Sequence, residues 1–297
     1  MPLLEIRDLA VSFGGVTAVD GVNLKVHEGE VVGLIGPNGA GKTTMFNLLT
    51  GALKAQRGNV RFRGMDVMAV STWMRAKLGM GRTFQLVQIF QGMTVRETLI
   101  VASHRHTRSG VLADSLRMPR SRLAVRSARE RADYILEFLG LGHLADTPAS
   151  ALPLGQARML ELGRALCLKP KVLLLDEPAS GMDHKESEEF VKLLGRVRDS
   201  FGLAILLVEH DMSVVMCVCD YIYVLDFGRL IAEGFPEEIQ RHPEVIRAYL
   251  GDQETQDGGE RPAGSPKPET VRREGPAGSG TRAASTRTKR DCVVASR

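Results

Sequence analysis

Apolar and polar positions alternate over the first thirty residues of the chain, Leu3 to Leu9 and then Ala18 to Val26, with Ser12-Phe13-Gly14-Gly15 between them. That period of two predicts two strands joined by a turn. A different pattern follows at Val31-Val32-Gly33-Leu34-Ile35, an unbroken run of apolar and small residues, and a helix-compatible stretch begins at Thr44. Gly58 to Asp66 returns to alternation, with basic residues on one face, and predicts a hairpin that joins the first strands in an antiparallel sheet. Gly81 to Gln85 reads as a strand ending in a polar residue.

From Val95 to about Leu141 the pattern turns helical and rich in Arg, Ala and Leu, and Gly110 and Pro119 break it into two or more helices. A further helix is predicted from Gly155 to Leu168, stopped by Pro170. Two more apolar runs, Val172 to Leu175 and Leu203 to Val208, end in Asp176-Glu177 and Glu209-His210-Asp211. Continuous apolar strands alternating with helices indicate a parallel sheet covered on both faces, and ligands bind at the carboxyl ends of such strands. Both acidic clusters fall there. The folded part is expected to occupy residues 1–251, ending in a helix around Pro243 to Leu250, with a helical subdomain at about 86–168. Residues 252–297 are rich in Gly, Pro, Ser, Thr, Arg and Glu and predict a disordered tail.

Composition narrows this little further. With 43% hydrophobic and 25% charged residues in 297, the chain has the make-up of a globular protein with a sizeable core. A formal net charge of +4, with the basic residues dispersed, does not point to nucleic acid. No apolar run approaches the roughly 18 residues that cross a bilayer, and the amino terminus carries acidic residues where a secretion signal would be basic, so a cytoplasmic location is expected. The four cysteines do not suggest a disulfide framework or a zinc site, and Cys217 and Cys219 read as small buried thiols.

The chemistry is carried by Gly36-Pro37-Asn38-Gly39-Ala40-Gly41-Lys42-Thr43, with Thr44 opening the helix behind it. A strand, a glycine turn and a helix in that order form a loop whose N–H groups wrap a phosphate chain, with the helix dipole adding positive potential. Lys42 would reach the β- and γ-phosphates, and the hydroxyl of Thr43 would hold magnesium. At the second strand end, Asp176 suits the magnesium shell and Glu177 is placed to take a proton from attacking water. Two adjacent acids could instead cap a helix, an alternative that the phosphate loop in the same chain weakens. Phe13 can cover a flat ligand or pack in the core, while His210 and Gln85 have a polar site role or an ordinary surface role.

Leu152-Pro153-Leu154-Gly155-Gln156, just upstream of the Asp176 strand, changes that balance. The order Phe13, phosphate loop, Gln85, this stretch, Asp176-Glu177, Ser180-Gly181-Met182-Asp183 and His210 resembles the ATP-binding-cassette family, from Leu3 to Gly251. The resemblance implies a P-loop NTPase of RecA-like α/β core with a mainly parallel sheet, an antiparallel β subdomain and an α-helical subdomain. It implies ATP and Mg2+ as ligands, Phe13 stacked on adenine and Val16 near the sugar. Gln85 would sense magnesium and signal to a membrane partner, Glu177 would be the general base, and His210 the switch at the γ-phosphate. Leu152 to Gln156 and Asp183 would face the ATP of a second ATPase subunit, either a sister chain or a second copy.

Two positions depart from the family signature: Pro153 stands where a serine donates a hydroxyl, and Leu154 where a glycine permits close approach. The long helical insertion from Glu97 to Ser150, DEPASGMD at 176–183, VEHDMSVVM at 208–216 and the ending at Pro243 to Gly251 resemble the ATPases of branched-chain amino acid importers. That resemblance implies two transmembrane permease subunits, docked near Phe90 to Ser103, and indirectly a substrate-binding protein, with the chain peripheral on the cytoplasmic face of the inner membrane. ATPases of urea or short-amide importers and of lipid or polysaccharide exporters share the same features, and a soluble non-transport ATPase is disfavoured by the single phosphate loop.

Overall fold

A computed structural model describes residues 1–83, 88, 90, 92–103 and 119–256. The first layer is an antiparallel sheet of β1 (Leu4–Phe13), β2 (Val16–Val26), β4 (Arg57–Phe62) and β5 (Met65–Asp66), in the order β2-β1-β4-β5. The predicted hairpin thus pairs with the first strands, through Leu4↔Phe62 and Ile6↔Val60. Both early strands run longer than the strict alternation suggested. Bulges between Ile6 and Val11 shift the register, with Asp8 at a left-handed φ of 48°, so the alternation slips while pairing continues.

The second sheet holds six strands in the order β10-β9-β3-β8-β7-β6, from β3 (Val31–Ile35), β6 (Met80–Arg82), β7 (Val172–Asp176), β8 (Ala204–Val208), β9 (Tyr221–Asp226) and β10 (Arg229–Gly234). Its neighbours are parallel except for β10, which returns on β9 as an antiparallel hairpin. The unbroken apolar runs are explained by two cores, one on each face. Leu173, Leu175, Ile205 and Leu207 point into one cluster, and Val172, Leu174, Leu206 and Val208 into the other. Every residue of β7 and β8 is buried, down to Asp176.

Helices cover both faces: α1 (Lys42–Thr50), α2 (Thr72–Leu78), α3 (Val95–Ser103), α4 (Pro119–Phe138), α5 (Leu154–Cys167), α6 (His184–Phe201), α7 (Met212–Val218), α8 (Pro236–Ile239) and α9 (Pro243–Gln256). α3, α4 and α5 pack together through Leu99, Ile135, Leu139 and Gly163, whose absent Cβ would lie 2.9 Å from Leu139. Among the described residues α4 begins at Pro119, where a first-turn proline gives up no intrahelical bond. α9 runs six residues past Leu250, since Asp252 to Gln256 contains no helix breaker. Cys219 is a buried free thiol as expected, whereas Cys217 is half-buried. Small size and apolar neighbours did not distinguish the two.

Arg75 on α2 is buried, and its guanidinium donates to the carbonyls of Leu48 and Leu49 at 2.8 and 2.6 Å and of Val70 at 3.0 Å. It thereby closes the carboxyl end of α1, where orphan carbonyls and the helix dipole favour a cation.

Candidate active site

The register of the parallel sheet brings the site together. Leu34 of β3 and Asp176 of β7 both pair with Val208 of β8, so the phosphate loop, the Asp176-Glu177 turn and the Glu209-His210 turn leave adjacent strand ends on one side. That edge is where a parallel sheet presents its ligand site.

Gly36 and Gly41 are there for want of room. At Gly36, with φ of 150°, a Cβ would sit 2.1 Å from the carbonyl oxygen of Leu225; at Gly41, with φ of 101°, it would sit 2.4 Å from that of Ala18. The loop is therefore pressed against β9 and β2 by its own backbone. Pro37 and Ala40 are buried beneath it, Asn38 and Gly39 are exposed at its crest, and Thr43 is exposed with Thr44 half-buried on the first turn of α1. Lys42 is buried, and its ammonium donates to the carbonyls of Gly36 at 2.6 Å and Pro37 at 2.8 Å. Its charge also reaches Asp176, whose ionised form it favours.

Asp176 is 2% exposed. Burial pushes its pKa up, and Arg82, 3.0 Å from Oδ2, and Lys42 pull the other way. Arg82 in turn donates to Asn47 on α1 at 2.7 Å. Oδ1 of Asp176 is buried without a hydrogen-bond partner. A buried carboxylate oxygen with no donor, at the same strand edge as Thr43, fits a magnesium ion in the way a helix cap would not.

Glu177 takes a left-handed φ of 46° while its amide still bonds to Val208 at 2.9 Å, a conformation that costs about 1–3 kcal/mol in a non-glycine residue. The turn swings its carboxylate out of the core. Oε2 of Glu177 lies 3.9 Å from Nδ1 of the exposed His210, and Oε2 of Glu209 is also 3.9 Å from that nitrogen. Lys42, Asp176, Glu177 and His210 thus meet.

Phe13 is 47% exposed at the end of β1 and paired with the exposed Val16 at the start of β2. An aromatic face left open on a two-residue turn resolves the choice between packing and ligand cover against packing. Gln85 lies outside the described residues. Leu152 is half-buried before Pro153, which is the N-cap of α5, with φ of −55° and ψ of 157°. The first intrahelical bond runs from Ala157 to Pro153 at 2.9 Å, so the amides of Leu154, Gly155 and Gln156 belong to the open end of the helix. Leu154 is 47% exposed. Gly155 is buried against Glu186, whose Oε1 would lie 2.8 Å from a Cβ there. Asp183 caps α6 by accepting from Glu186 at 2.8 Å, and Glu186 accepts from Asp183 in return.

Sequence reasoning passed over Arg82, Asn47 and Glu209. A basic residue among apolar neighbours next to the strand that ends in Asp176 was the only available signal for the first. Asn47, midway along α1, and Glu209, just past β8, are given their neighbours only by the sheet register.

A glycine loop over a helix amino terminus, a buried lysine and a pair of strand-end carboxylates define a P-loop ATPase. The antiparallel sheet beside it and the helical subdomain that carries Leu152 to Gln156 narrow the class further. The chain belongs to the ATP-binding-cassette transporter family, as its ATP-hydrolysing component: the ABC transporter family profile matches residues 19–180, and that of the branched-chain amino acid ATP-binding cassette transporter matches 229–255. It is 43% identical over 251 residues to the high-affinity branched-chain amino acid transport ATP-binding protein BraF of Pseudomonas aeruginosa, covering 84% of this chain and 98% of that one. It is 44% identical over 251 residues to LivG of Escherichia coli, with the same coverage. Among solved structures, the ADP conformation of MJ1267, an ATP-binding cassette of an ABC transporter, superposes with a TM-score of 0.74 at 32% identity, over 84% of this chain and 99% of that one.

Proposed function

We propose that this chain is a motor subunit of an importer for branched-chain amino acids, the substrate class for which BraF and LivG are named. The observation that carries the site assignment is the convergence of Lys42, Asp176, Glu177 and His210 at one sheet edge. Phe13 stacks on adenine and Val16 lies by the sugar. On nucleotide binding, Lys42 exchanges the carbonyls of Gly36 and Pro37 for phosphate oxygens, while Gly39 to Thr43 supply N–H donors. Thr43, Asp176 and Gln85 would hold a magnesium ion, whose charge would offset that of the triphosphate. Glu177 takes the proton of the attacking water, and His210 orients the γ-phosphate.

The open end of α5, Leu154 to Gln156, is an anion site with no phosphate of its own chain to meet. A second ATPase subunit brings its ATP there, and Asp183 lies at the same face. ATP binding closes the pair, and hydrolysis reopens it. Two permease subunits couple to this cycle near Phe90, which is half-exposed beneath the Arg164 guanidinium at 4.8 Å. A substrate-binding protein acts through the permeases. The chain itself is peripheral on the cytoplasmic face; among the described residues no helix is long and apolar enough to cross a membrane.

Glu177→Gln tests the chemistry. ATP binding is expected to persist while single-turnover hydrolysis falls at least about a hundredfold. Hydrolysis that survives the change removes Glu177 as the base. For the substrate, ATP-dependent uptake of leucine into cells carrying the neighbouring permease genes is expected to disappear with the Glu177→Gln chain; unaffected leucine uptake excludes the importer assignment.

A further inference from the structure

Glu209 is a buried carboxylate at this edge to which neither metal nor proton transfer gives a role. It follows the last residue of β8 and is 1% exposed. Its Oε1 accepts from the amide of Ala179 at 2.9 Å, and its Oε2 accepts from the amide of His210 at 3.3 Å. Ala179 stands two residues beyond Glu177, in the turn that leads through Ser180 to Asp183. One side chain therefore spans the two segments that present the base and the switch histidine.

The placement is energetically unfavourable for a residue whose only task is to fill space. Burial pushes the Glu209 pKa up, and an apolar side chain of the same volume would avoid the desolvation penalty. What the carboxylate adds is a pair of acceptors at fixed separation. The Glu177 turn is strained, with its φ of 46°, and a strained turn holds its geometry only where its surroundings over-determine it. The strand edge fixes one side of the turn through the bond from Glu177 to Val208, at 2.9 Å; Glu209 fixes the other through Ala179.

Resting on the roles proposed above for Glu177 and His210, we propose that Glu209 is a positioning residue for hydrolysis. It is a buried brace that holds the turn beyond the general base in register with the switch histidine. Because that turn continues to the partner-facing Asp183, the same brace ties the second subunit's contact to the histidine that meets the γ-phosphate.

The test uses the full chain, with single-turnover ATP hydrolysis read beside equilibrium binding of ATP. Glu209→Ala removes both acceptors and is expected to lower the hydrolysis rate about tenfold, as a small misplacement of reacting groups does, with ATP affinity held within about twofold. Glu209→Gln keeps one carbonyl oxygen for Ala179 and is expected to recover part of the rate. In a His210→Ala background, Glu209→Ala is expected to cost less than about twofold, because the two changes act on one constellation. An unchanged rate in Glu209→Ala overturns the proposal, as does a loss confined to ATP affinity or an undiminished fall in the His210→Ala background. Should Glu209→Ala fail to fold by circular dichroism, the same cycle run with Glu209→Gln decides. If Glu177→Gln and His210→Ala themselves leave hydrolysis intact, the site assignment is at fault; if they abolish it and the Glu209 variants do not, only the brace is.

Discussion

The two ends of the molecule proposed to meet ATP are built on opposite principles. At the phosphate loop the chain is crowded by its own backbone: Gly36 and Gly41 lie against the carbonyls of Leu225 and Ala18, and Lys42 is already hydrogen-bonded inside the loop. At the amino end of α5, Pro153 and Leu154 are exposed, and Gly155 is packed against the flexible end of the Glu186 side chain. The first is a complete half-site that needs only a ligand. The second, on the function proposed above, would complete itself against another subunit, and so would tolerate departures such as Pro153 and Leu154 that the first could not.

Glycine replacement should expose that contrast most strongly. Gly36→Ala sets a Cβ against a fixed backbone oxygen and is expected to destabilise by about 3 kcal/mol or more and to abolish ATP binding, whereas Gly155→Ala needs only a rotation of Glu186 and should cost less than about 1 kcal/mol. Urea unfolding of both variants measures this, and equal losses would erase the distinction.

A smaller effect is expected at Pro153. It supplies no hydroxyl to a facing phosphate, so Pro153→Ser, which restores both a donor and a preferred N-cap, should leave ATP hydrolysis unchanged or raise it up to a few fold. A large fall in the steady-state rate would show that proline is needed there for geometry.

The smallest change concerns Glu161 on α5, whose Oε1 accepts from the amide of Gln88 at 2.9 Å while Oε2 is buried without a partner. Burial pushes its pKa up. A raised carboxyl pKa means that its contribution to stability is fully present below the unfolded value of about 4.3 and is lost as pH rises through the folded value. Glu161→Gln should therefore raise the melting temperature by a few degrees at pH 7 to 8, with the advantage shrinking toward pH 4.3. A gap that widens on acidification would reverse the sign.

Much of this architecture could be read from residue patterns because the patterns report burial. The runs at Val31, Val172 and Leu203 are apolar on both faces because two cores flank the sheet, and the acidic ends of the last two mark the edge where a parallel sheet presents its ligand site. Strand β9 and the hairpin to β10 escaped notice, since Tyr221 to Asp226 follows directly on the apolar Val214 to Val218 with only Cys219 and Asp220 between them. Within the site, Lys42, Asp176, Glu177 and His210 announce themselves through local order. Arg82, Asn47 and Glu209 act across the fold, and no local period encodes which strand will lie beside which.

Arg75 has a mechanical consequence. Its guanidinium, gripping Leu48, Leu49 and Val70 at once, welds the rear of the phosphate helix to the connection that leaves the antiparallel sheet. On the roles proposed above for Phe13 and Lys42, base and phosphates would therefore rest on two elements that one guanidinium ties together.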